Sequence, residues 1–381
     1  MRLAEQLELP AETQAAAEEV RAWLVEHPSP DPRQLADAGL VAPHWPRPWG
    51  RDATPIEQLA IDSVLREARV QRPVNVIGLG WAGPTLLHAG TADQHERWLP
   101  GILDGSEVWC QLFSEPDAGS DLASLTTRAV RDGDEWVVQG RKIWTSMGHL
   151  ARWGILLART GHAGVDAHGA ITYFVCDMQA PGVSVRPIRD MTGTAPFNEV
   201  VLDEVRIPDS QVVGPVGGGW ELAKVTLANE RVSLSRSGAL WGFGPTADDL
   251  VDTVRPLADR LRAQDRARLV EVWSEGAVLA MLRLRGVAVA VAGRPPGPES
   301  SVAKLLADQH GQRLFQLARD LAGAAGMLAD VGPLGTPQEL WGHGFLFSPA
   351  LTIGGGTAQV QRNVIGERVL GLPRDPPAPS S

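Results

Sequence analysis

Three segments of the chain carry residues whose types and spacing could do chemistry. The first, at 109–121, reads WCQLFSEPDAGSD and combines a Glu-Pro pair, an Asp-Ala-Gly turn, the hydroxyl of Ser120 and the carboxylate of Asp121. Such a run bends the backbone and leaves N–H groups unpaired, and these groups beside a serine suit the oxygens of a phosphate or a flavin. Taken alone, the run could equally be an ordinary polar loop.

Two further segments favour the chemical interpretation. Residues 136–146 read WVVQGRKIWTS, and residues 354–371 read GGGTAQVQRNVIGERVLG. Together with FSEPDAGSD, ITYFVCDM, FNEVVLDEVRIP and NERV, in the order in which they occur, they resemble the acyl-CoA dehydrogenase family of flavoproteins. The resemblance extends from about residue 35 to residue 374.

The resemblance implies FAD-dependent oxidation of an acyl-CoA thioester between Cα and Cβ. That reaction needs a base for the α-proton, donors for the thioester oxygen and a hydride acceptor, which is flavin N5 because no side chain can serve. Trp144 offers a flat face to the flavin ring and Ser114 and Ser146 offer hydroxyls, although Trp144 could instead be a core aromatic of the β domain. The residues that match flavin-binding positions of the family are Gln111, Phe113, Ser114, Gly119, Ser120, Trp144, Ser146, Thr357 and Gln359.

The catalytic glutamate that many members carry just before the Gly-Thr of the C-terminal motif is replaced here by Gly355. A second arrangement in the family places this glutamate on the first long helix of the C-terminal domain, and the NERV motif supplies it as Glu230. Glu230 shares a helical stripe with two leucines, and a carboxylate partly buried there is a stronger base than one in water. The alternative is a solvated Glu230 paired with Arg231 or Lys224.

The resemblance also implies a set of substrate contacts. A backbone N–H at Gly355 can still hold the negative charge of the thioester oxygen, because such a donor needs no side chain. Three consecutive glycines leave volume free, which predicts a pocket for branched, bulky or cyclic acyl groups. The residues at substrate-binding positions are Ser120, Arg231, Gly355 and Gly356, with a structural salt bridge as the alternative for Arg231.

A second departure from the family pattern concerns the Arg-x-x-Phe-Gly segment that reaches the pyrophosphate and adenine of a neighbouring subunit's flavin. At 259–273 this chain reads DRLRAQDRARLVEVW, without Phe-Gly. Two other hypotheses therefore stay open. The chain could be a non-catalytic subunit of a heteromeric acyl-CoA dehydrogenase, or a flavin-dependent oxidase or monooxygenase on the same fold.

Composition narrows the class of protein. The chain has 381 residues, of which 44% are hydrophobic and 21% charged, as in a globular protein of two or three domains. Its net charge of -10 argues against a nucleic-acid partner. Two cysteines and nine scattered histidines show neither disulfide nor metal-ligand spacing, so no metal is expected. Because no apolar leader or membrane-spanning run occurs, we expect a cytoplasmic protein without membrane insertion.

The implied partners are an acyl-CoA substrate, an electron-transferring flavoprotein and further copies of the chain in a homodimer or homotetramer, or a related subunit in a heteromer. The fold class is predicted to be α+β. We expect an N-terminal helical domain (1–107), a middle antiparallel β domain (108–214), a C-terminal four-helix bundle (215–373) and a disordered Pro- and Ser-rich tail (374–381).

Individual elements are predicted from periodicity and from turn residues. The GLGWAG run at 78–83 matches the dinucleotide fingerprint, but Pro84 follows and no second strand comes after it, so packing glycines are favoured. Predicted helices cover 15–27, 56–69, 221–239, 253–263, 266–291 and 301–323. Predicted strands cover 126–131, 135–139, 154–159, 171–177, 183–188 and 199–207.

Overall fold

A computed structural model gives the fold, and it describes residues 13–161, 168–234, 239–291, 297–328 and 339–374. The chain divides into two compact units, with the boundary between Glu230 and Arg231. Each unit is described by itself. Apart from Arg374, the tail predicted at 374–381 lies outside the described residues.

The first unit begins with five helices. Thr54 and Thr91 start the third and fifth of them with capping boxes, in which the threonine hydroxyl and a side chain three residues later satisfy each other's backbone N–H groups. The predicted helices at 15–27 and 56–69 are confirmed to within two residues at each end. The helices are α1 (Gln14–Glu26), α2 (Pro32–Asp37), α3 (Pro55–Glu67), α4 (Gly83–Ala89) and α5 (Ala92–Leu103).

An eight-stranded sheet follows, in the order β6-β7-β3-β2-β4-β5-β8, with β1 paired to β4. Most pairings are antiparallel, as predicted, but β1 runs parallel to β4, and β2 also meets β4 in a parallel pairing. The strands are β1 (Trp109–Leu112), β2 (Arg128–Asp132), β3 (Glu135–Ser146), β4 (Trp153–Arg159), β5 (Ile171–Asp177), β6 (Val183–Ile188), β7 (Phe197–Pro208) and β8 (Val212–Val213).

The centre of the sheet is covered on both faces. Strands β4 and β5 are buried at six consecutive positions each, which explains why ITYFVCDM is apolar on both faces. Cys110 and Cys176 lie in this core as fully buried free thiols.

Helix α6 (Gly219–Leu234) starts against the backbone of β5. A Cβ on Gly219 would lie 2.6 Å from the carbonyl carbon of Thr172, so a residue without a side chain is needed for this approach. The buried face of the helix repeats every four residues at Leu222, Thr226 and Glu230. The helix was predicted to reach 239; the structure describes it as far as Leu234, and 235–238 lie outside the described residues.

The second unit is helical, in agreement with the predicted fold class. Its helices are α7 (Ala247–Val254), α8 (Ala263–Val291), α9 (Ser300–Ala322), α10 (Glu339–Phe347) and α11 (Ala358–Val364). The helix predicted at 253–263 is wrong, because Arg255–Arg260 form a 3-10 turn with Pro256 in its first turn and a non-helical backbone at Leu257. Helices α10 and α11 were not predicted.

The core of this unit lies between α7, α8, α9 and α10. Leu314, Phe315 and Trp341 are fully buried in it. A Cβ on Gly344 would lie 2.1 Å from the ring of Phe315, so this glycine lets α10 approach α9. Within the described ranges, no helix combines the length and the apolar character that crossing a membrane requires.

Candidate active site

The FSEPDAGSD segment is fixed to the sheet by a buried ion pair. Lys142 of β3 donates from Nζ to Glu115 Oε1 at 2.8 Å and to the carbonyl of Phe113 at 3.1 Å. Glu115 also accepts from the backbone N–H and hydroxyl of Thr126, both at 2.7 Å, and from the N–H of Thr127 at 2.9 Å. The carboxylate of Glu115 therefore closes the loop between β1 and β2.

The pKa of each partner shows that the pair is held in its charged form. Burial would raise the pKa of Glu115, but the Lys142 charge and the hydrogen bonds outweigh it and lower that pKa to about 2. Burial lowers the pKa of Lys142 to about 8, against the opposing effect of Glu115. The pair is thus ionised at neutral pH.

Trp144 stands out of the sheet, and the core alternative for it is wrong. The pairing of β3 with β7 shifts register between Lys142 and Thr145, and Trp144 between them has a φ of 59°. This bulge leaves the indole 56% exposed, with its edge against Phe197 at 5.9 Å between ring centroids. A non-glycine residue in this left-handed conformation costs of order 1–2 kcal/mol, so the surrounding structure must hold it there.

Ser114 and Ser146 lie near Trp144: Ser146 is two residues later in β3, and Ser114 is hydrogen-bonded to the residue before Trp144. The N–H of Ile143 donates to the carbonyl of Ser114 at 2.9 Å, which places the end of β1 beside the end of β3. Among the described residues, no hydrogen bond occupies the hydroxyls of Ser114 and Ser146, and the buried Oγ1 of Thr145 also lacks a partner. An exposed aromatic face and several free hydroxyls are therefore close together along this edge.

Gly119 and Ser120 lie in an exposed turn that follows the anchored Glu115. Glu115 and Ala118 form a narrow bridge, with N–H to carbonyl distances of 3.0 and 3.2 Å. A Cβ on Gly119 would meet nothing within 4 Å, so this glycine leaves open space over the turn.

Phe113 and Gln111 point to different surroundings. The ring of Phe113 is buried with its edge toward Tyr173, at 6.0 Å between centroids. Gln111 is half-buried, and its Nε2 donates to Oε2 of Glu230 at 3.3 Å. The structure thus brings a predicted flavin-binding residue and the predicted base together.

Glu230 is only 6% exposed, so the solvated alternative for it is wrong. Lys224 pairs with Glu221 instead, at 2.6 Å. Arg231 follows on the same helix, and its side chain lies outside what the structure describes.

The remaining predicted residues belong to the second unit. Gly355 and Gly356 have φ values of 65° and 89°, a conformation that favours glycine. Thr357 caps α11 by accepting from the N–H of Val360 at 3.2 Å, and Gln361 donates to the carbonyls of Gly355 and Gly356, both at 3.2 Å. Gln359 is exposed.

A second buried ion pair lies just before this glycine loop. Lys304 of α9 donates to Asp308 Oδ2 at 2.6 Å and to the carbonyl of Leu351 at 3.3 Å. Gln312, two turns along from Lys304, donates to the carbonyl of Ser348 at 3.2 Å. Helix α9 thereby holds the segment that leads into Gly354–Gly356.

Three sequence models of one family match consecutive parts of the chain. "Acyl-CoA dehydrogenase, N-terminal domain" matches 6–106, "Acyl-CoA dehydrogenase, middle domain" matches 110–205, and "Acyl-CoA dehydrogenase, C-terminal domain" matches 217–370. Together they account for nearly all of the sequence. The chain belongs to the acyl-CoA dehydrogenase family.

Similar proteins carry the same family name. Acyl-CoA dehydrogenase FadE34 of Mycobacterium tuberculosis is 46% identical over 341 residues, which are 89% of this chain; the chain spans about half of that relative's length (46%). Acyl-CoA dehydrogenase IpdE1 of the same organism is 39% identical over 371 residues, 96% of this chain and 91% of the relative. A solved structure described as "Tcur3481-Tcur3483 steroid ACAD" is 27% identical, with a TM-score of 0.79 over 97% of this chain and all of that one.

Members of the acyl-CoA dehydrogenase family are flavoprotein oxidoreductases of lipid metabolism, so the predicted enzyme class is confirmed at this level. The residues near Trp144 fit a flavin. A flat ring needs an aromatic face, which the exposed indole provides, and hydrogen-bond partners at its rim, which the free hydroxyls and the orphaned Thr145 Oγ1 provide.

The dinucleotide-like run at 78–83 packs as predicted. Gly78–Ala82 form a π turn that leads into α4, and a Cβ on Gly83 would lie 2.3 Å from the ring of Trp45. These glycines make room for neighbouring side chains rather than for a nucleotide.

Lys142, Lys304 and Asp308, which hold the predicted site loops, were not predicted from the sequence. Along β3 the buried positions include Trp136, Val138 and Lys142, so the alternation of the strand could have placed Lys142 on the inward face. No comparable signal identifies Lys304 and Asp308, because a Lys-Asp pair four residues apart is usual on exposed helix surfaces.

Proposed function

We propose that this chain is an FAD-dependent acyl-CoA dehydrogenase in which Glu230 removes the α-proton of the thioester. The observation that carries the proposal is the buried carboxylate of Glu230 in contact with Gln111. In this chain, glycine (Gly355) occupies the position at which many family members carry the catalytic glutamate. No other assignment of the base uses both facts.

The surroundings of Glu230 are those of a positioned general base, because its carboxylate is buried and is held by a hydrogen bond from Gln111. The hydrogen bond from Gln111 limits the positions that the carboxylate can adopt. Holding the base near the substrate carbon lowers the entropic part of the barrier.

FAD, when bound, supplies the hydride acceptor of the reaction. Trp144, Ser114 and Ser146 would hold its ring system, with Gln111 beside the base. Phe113, Gly119, Ser120, Thr357 and Gln359 remain predicted contacts. Electron-transferring flavoprotein remains the predicted acceptor of the electrons.

The glycine loop supplies the remaining requirement. We infer that the backbone N–H of Gly355 donates to the thioester oxygen, where negative charge develops as the α-proton leaves. Gln361 fixes the carbonyls of Gly355 and Gly356, which holds the loop without adding a side chain to it. Ser120, Gly356 and Arg231 remain predicted substrate contacts.

We infer that the acyl group is bulky and contains rings, as in a steroid side-chain thioester. Consecutive glycines at 354–356 keep side chains out of this loop. The similar structure described as a steroid ACAD supports the same class.

The test is anaerobic titration of the purified, yellow protein with CoA thioesters. Cyclohexane-1-carbonyl-CoA and steroid side-chain CoA thioesters should bleach the flavin absorbance at least about tenfold faster than butyryl-CoA, since a poorly filled pocket loses 1–3 kcal/mol per group. Preference for butyryl-CoA would contradict the substrate class. A yellow protein that no thioester bleaches would contradict the activity.

The same preparation separates the alternative functions. A colourless protein that gains flavin only with a second, related chain would support the non-catalytic subunit. Oxygen consumption with a hydroxylated product, without an added electron acceptor, would support the oxidase or monooxygenase.

A further inference from the structure

Three buried hydroxyl groups meet one turn before Glu230 on helix α6. Thr226 Oγ1 lies 2.8 Å from Thr85 Oγ1 of α4 and 3.1 Å from the hydroxyl of Tyr173 on β5. All three residues are fully buried. This cluster, which we call the hydroxyl junction, joins three elements of the first unit at the side chain of Thr226.

Each hydroxyl proton of the junction can be assigned to an acceptor. Thr85 and Thr226 can each donate to a carbonyl one turn earlier, at Trp81 (2.8 Å) and at Leu222 (3.0 Å). If both did so, no proton would lie between the two threonine oxygens, so one of them must donate to the other. In either arrangement Thr226 is left to accept from Tyr173, and every hydroxyl proton has an acceptor.

The junction shares the buried face of α6 with Glu230. Thr226 and Glu230 are four residues apart, so their side chains lie above one another on that face. Glu230 in turn contacts Gln111 on β1 at 3.3 Å. Rotation or sliding of the helix at Thr226 would therefore move the Glu230 carboxylate relative to β1.

We propose that Thr226, through its hydrogen bonds to Tyr173 and Thr85, is a positioning residue that sets the place of the Glu230 carboxylate. The inference rests on the proposed function of Glu230 as base. Buried hydroxyls are directional and lose stability when a partner is missing, so the junction admits one register of the helix, whereas apolar packing admits several.

The most informative variant is Thr226→Val, which keeps the shape of the side chain and removes its hydroxyl. It leaves the Tyr173 hydroxyl buried without its acceptor, and the helix is expected to shift to relieve this loss. Thr226→Ser is the matched control, because it keeps the hydroxyl. Tyr173→Phe is a second variant that removes a single oxygen from another element.

Crystal structures of the holoenzyme and the three variants test the proposal without reference to activity. In T226V the distance between Gln111 Nε2 and Glu230 Oε2 should change by roughly 0.5 Å or more, the tolerance of a functional site. It should stay as in the wild type in T226S and change in the same direction, by less, in Y173F. An unchanged distance in both T226V and Y173F would overturn the inference.

Flavin reduction by cyclohexane-1-carbonyl-CoA supplies the second readout. The limiting rate should fall about tenfold to a hundredfold in T226V, as expected for a displacement of order 1 Å, while KM and flavin content stay within about twofold of wild type. T226S should restore the rate. Absence of wild-type reduction by any CoA thioester would defeat the proposed function and leave the structural result to decide the role of Thr226.

Discussion

The two buried ion pairs described in the site, Glu115–Lys142 and Asp308–Lys304, are built differently, although each holds a loop that carries predicted site residues. Glu115 accepts four hydrogen bonds, from Lys142 and from three donors on Thr126 and Thr127. Asp308, within the described part of the chain, accepts from Lys304 alone. Each oxygen of the Glu115 carboxylate thus accepts two hydrogen bonds from the protein, whereas the Asp308 carboxylate accepts one from the described residues.

The two carboxylates also differ in protonation, because burial and the available donors balance differently at each of them. Burial raises the pKa of Asp308 to about 6, and the Lys304 charge offsets burial only in part. At Glu115, by contrast, Lys142 and the added hydrogen bonds outweigh burial and the pKa falls to about 2. With Lys304 as its one donor within the described residues, the Asp308 carboxylate is charged at neutral pH but takes up a proton below about pH 6.

The largest effect is expected at Glu115. Glu115→Gln strands the Lys142 ammonium in the sheet and should lower the free energy of unfolding by about 3–5 kcal/mol, with loss of bound flavin. Urea unfolding and the visible spectrum measure both quantities. Asp117→Asn, an exposed change in the same turn, is the control and should stay within about 0.5 kcal/mol of wild type. Equal effects of E115Q and D117N would show that the pair does not hold the loop.

The pH dependence of stability should have opposite sign at the two pairs. A folded-state pKa raised at Asp308 means that stability is present below the unfolded value of 3.8 and is lost as pH rises through about 6. For Glu115, stability is present above 4.5 and is lost as pH falls toward about 2.

Urea unfolding of the wild type and of the double variant K304M/D308L, between pH 4.5 and 7, isolates the second pair. Over this range the wild type should lose about 2 kcal/mol relative to the variant, at 1.36 kcal/mol for each unit of pKa shift that is titrated between pH 4.5 and 7. Glu115 titrates below this window. A difference that grows in favour of the wild type as pH rises would contradict the direction given for Asp308.

The smallest change in stability is expected when the Lys304–Asp308 pair, which has fewer hydrogen bonds, is replaced by apolar residues. At pH 7.5, K304M/D308L should be within about 1 kcal/mol of wild type or more stable, because it removes two incompletely satisfied buried charges together. The matched change E115L/K142M should cost several kcal/mol, since it also strands the N–H groups of Thr126 and Thr127. Similar costs for the two double variants would show that the additional donors at Glu115 do not distinguish the two ion pairs.

The fold could be predicted in the places where local pattern and tertiary environment agree. Strands 171–177 and 183–188 were predicted to the residue, because apolar runs bounded by turns admit few registers. The helix predicted at 253–263 was wrong because the apolar spacing there is helical, whereas Pro256 cannot donate a backbone hydrogen bond and the chain forms a 3-10 turn.

The site was predictable to the extent that residue type and period determine it. Partial burial of Glu230 was predicted, and the residue is 6% exposed, but it shares the buried face of α6 with Leu222 and Thr226, while Leu227 of the predicted leucine stripe is only half-buried. The exposure of Trp144 depends on a bulge between paired strands. The burial of Lys142 depends on Glu115, a partner that is distant in sequence. The burial of Asp308 could not be predicted because a Lys-Asp pair four residues apart is usual on exposed helix surfaces. A charged residue is predicted to face water unless its partner is known.

The assignment of Glu230 as the base is tested most directly by the anaerobic rate of flavin reduction in the Glu230→Gln variant. With cyclohexane-1-carbonyl-CoA or a steroid side-chain CoA thioester as substrate, the rate should fall by at least about 10²-fold, the contribution of a positioned base, while the variant keeps its flavin. This substitution keeps a side-chain oxygen at position 230 that can accept from Gln111 Nε2, so the geometry of the contact is nearly preserved. A loss of rate therefore reports the loss of the base itself. Reduction at the wild-type rate in E230Q would show that Glu230 is not the base.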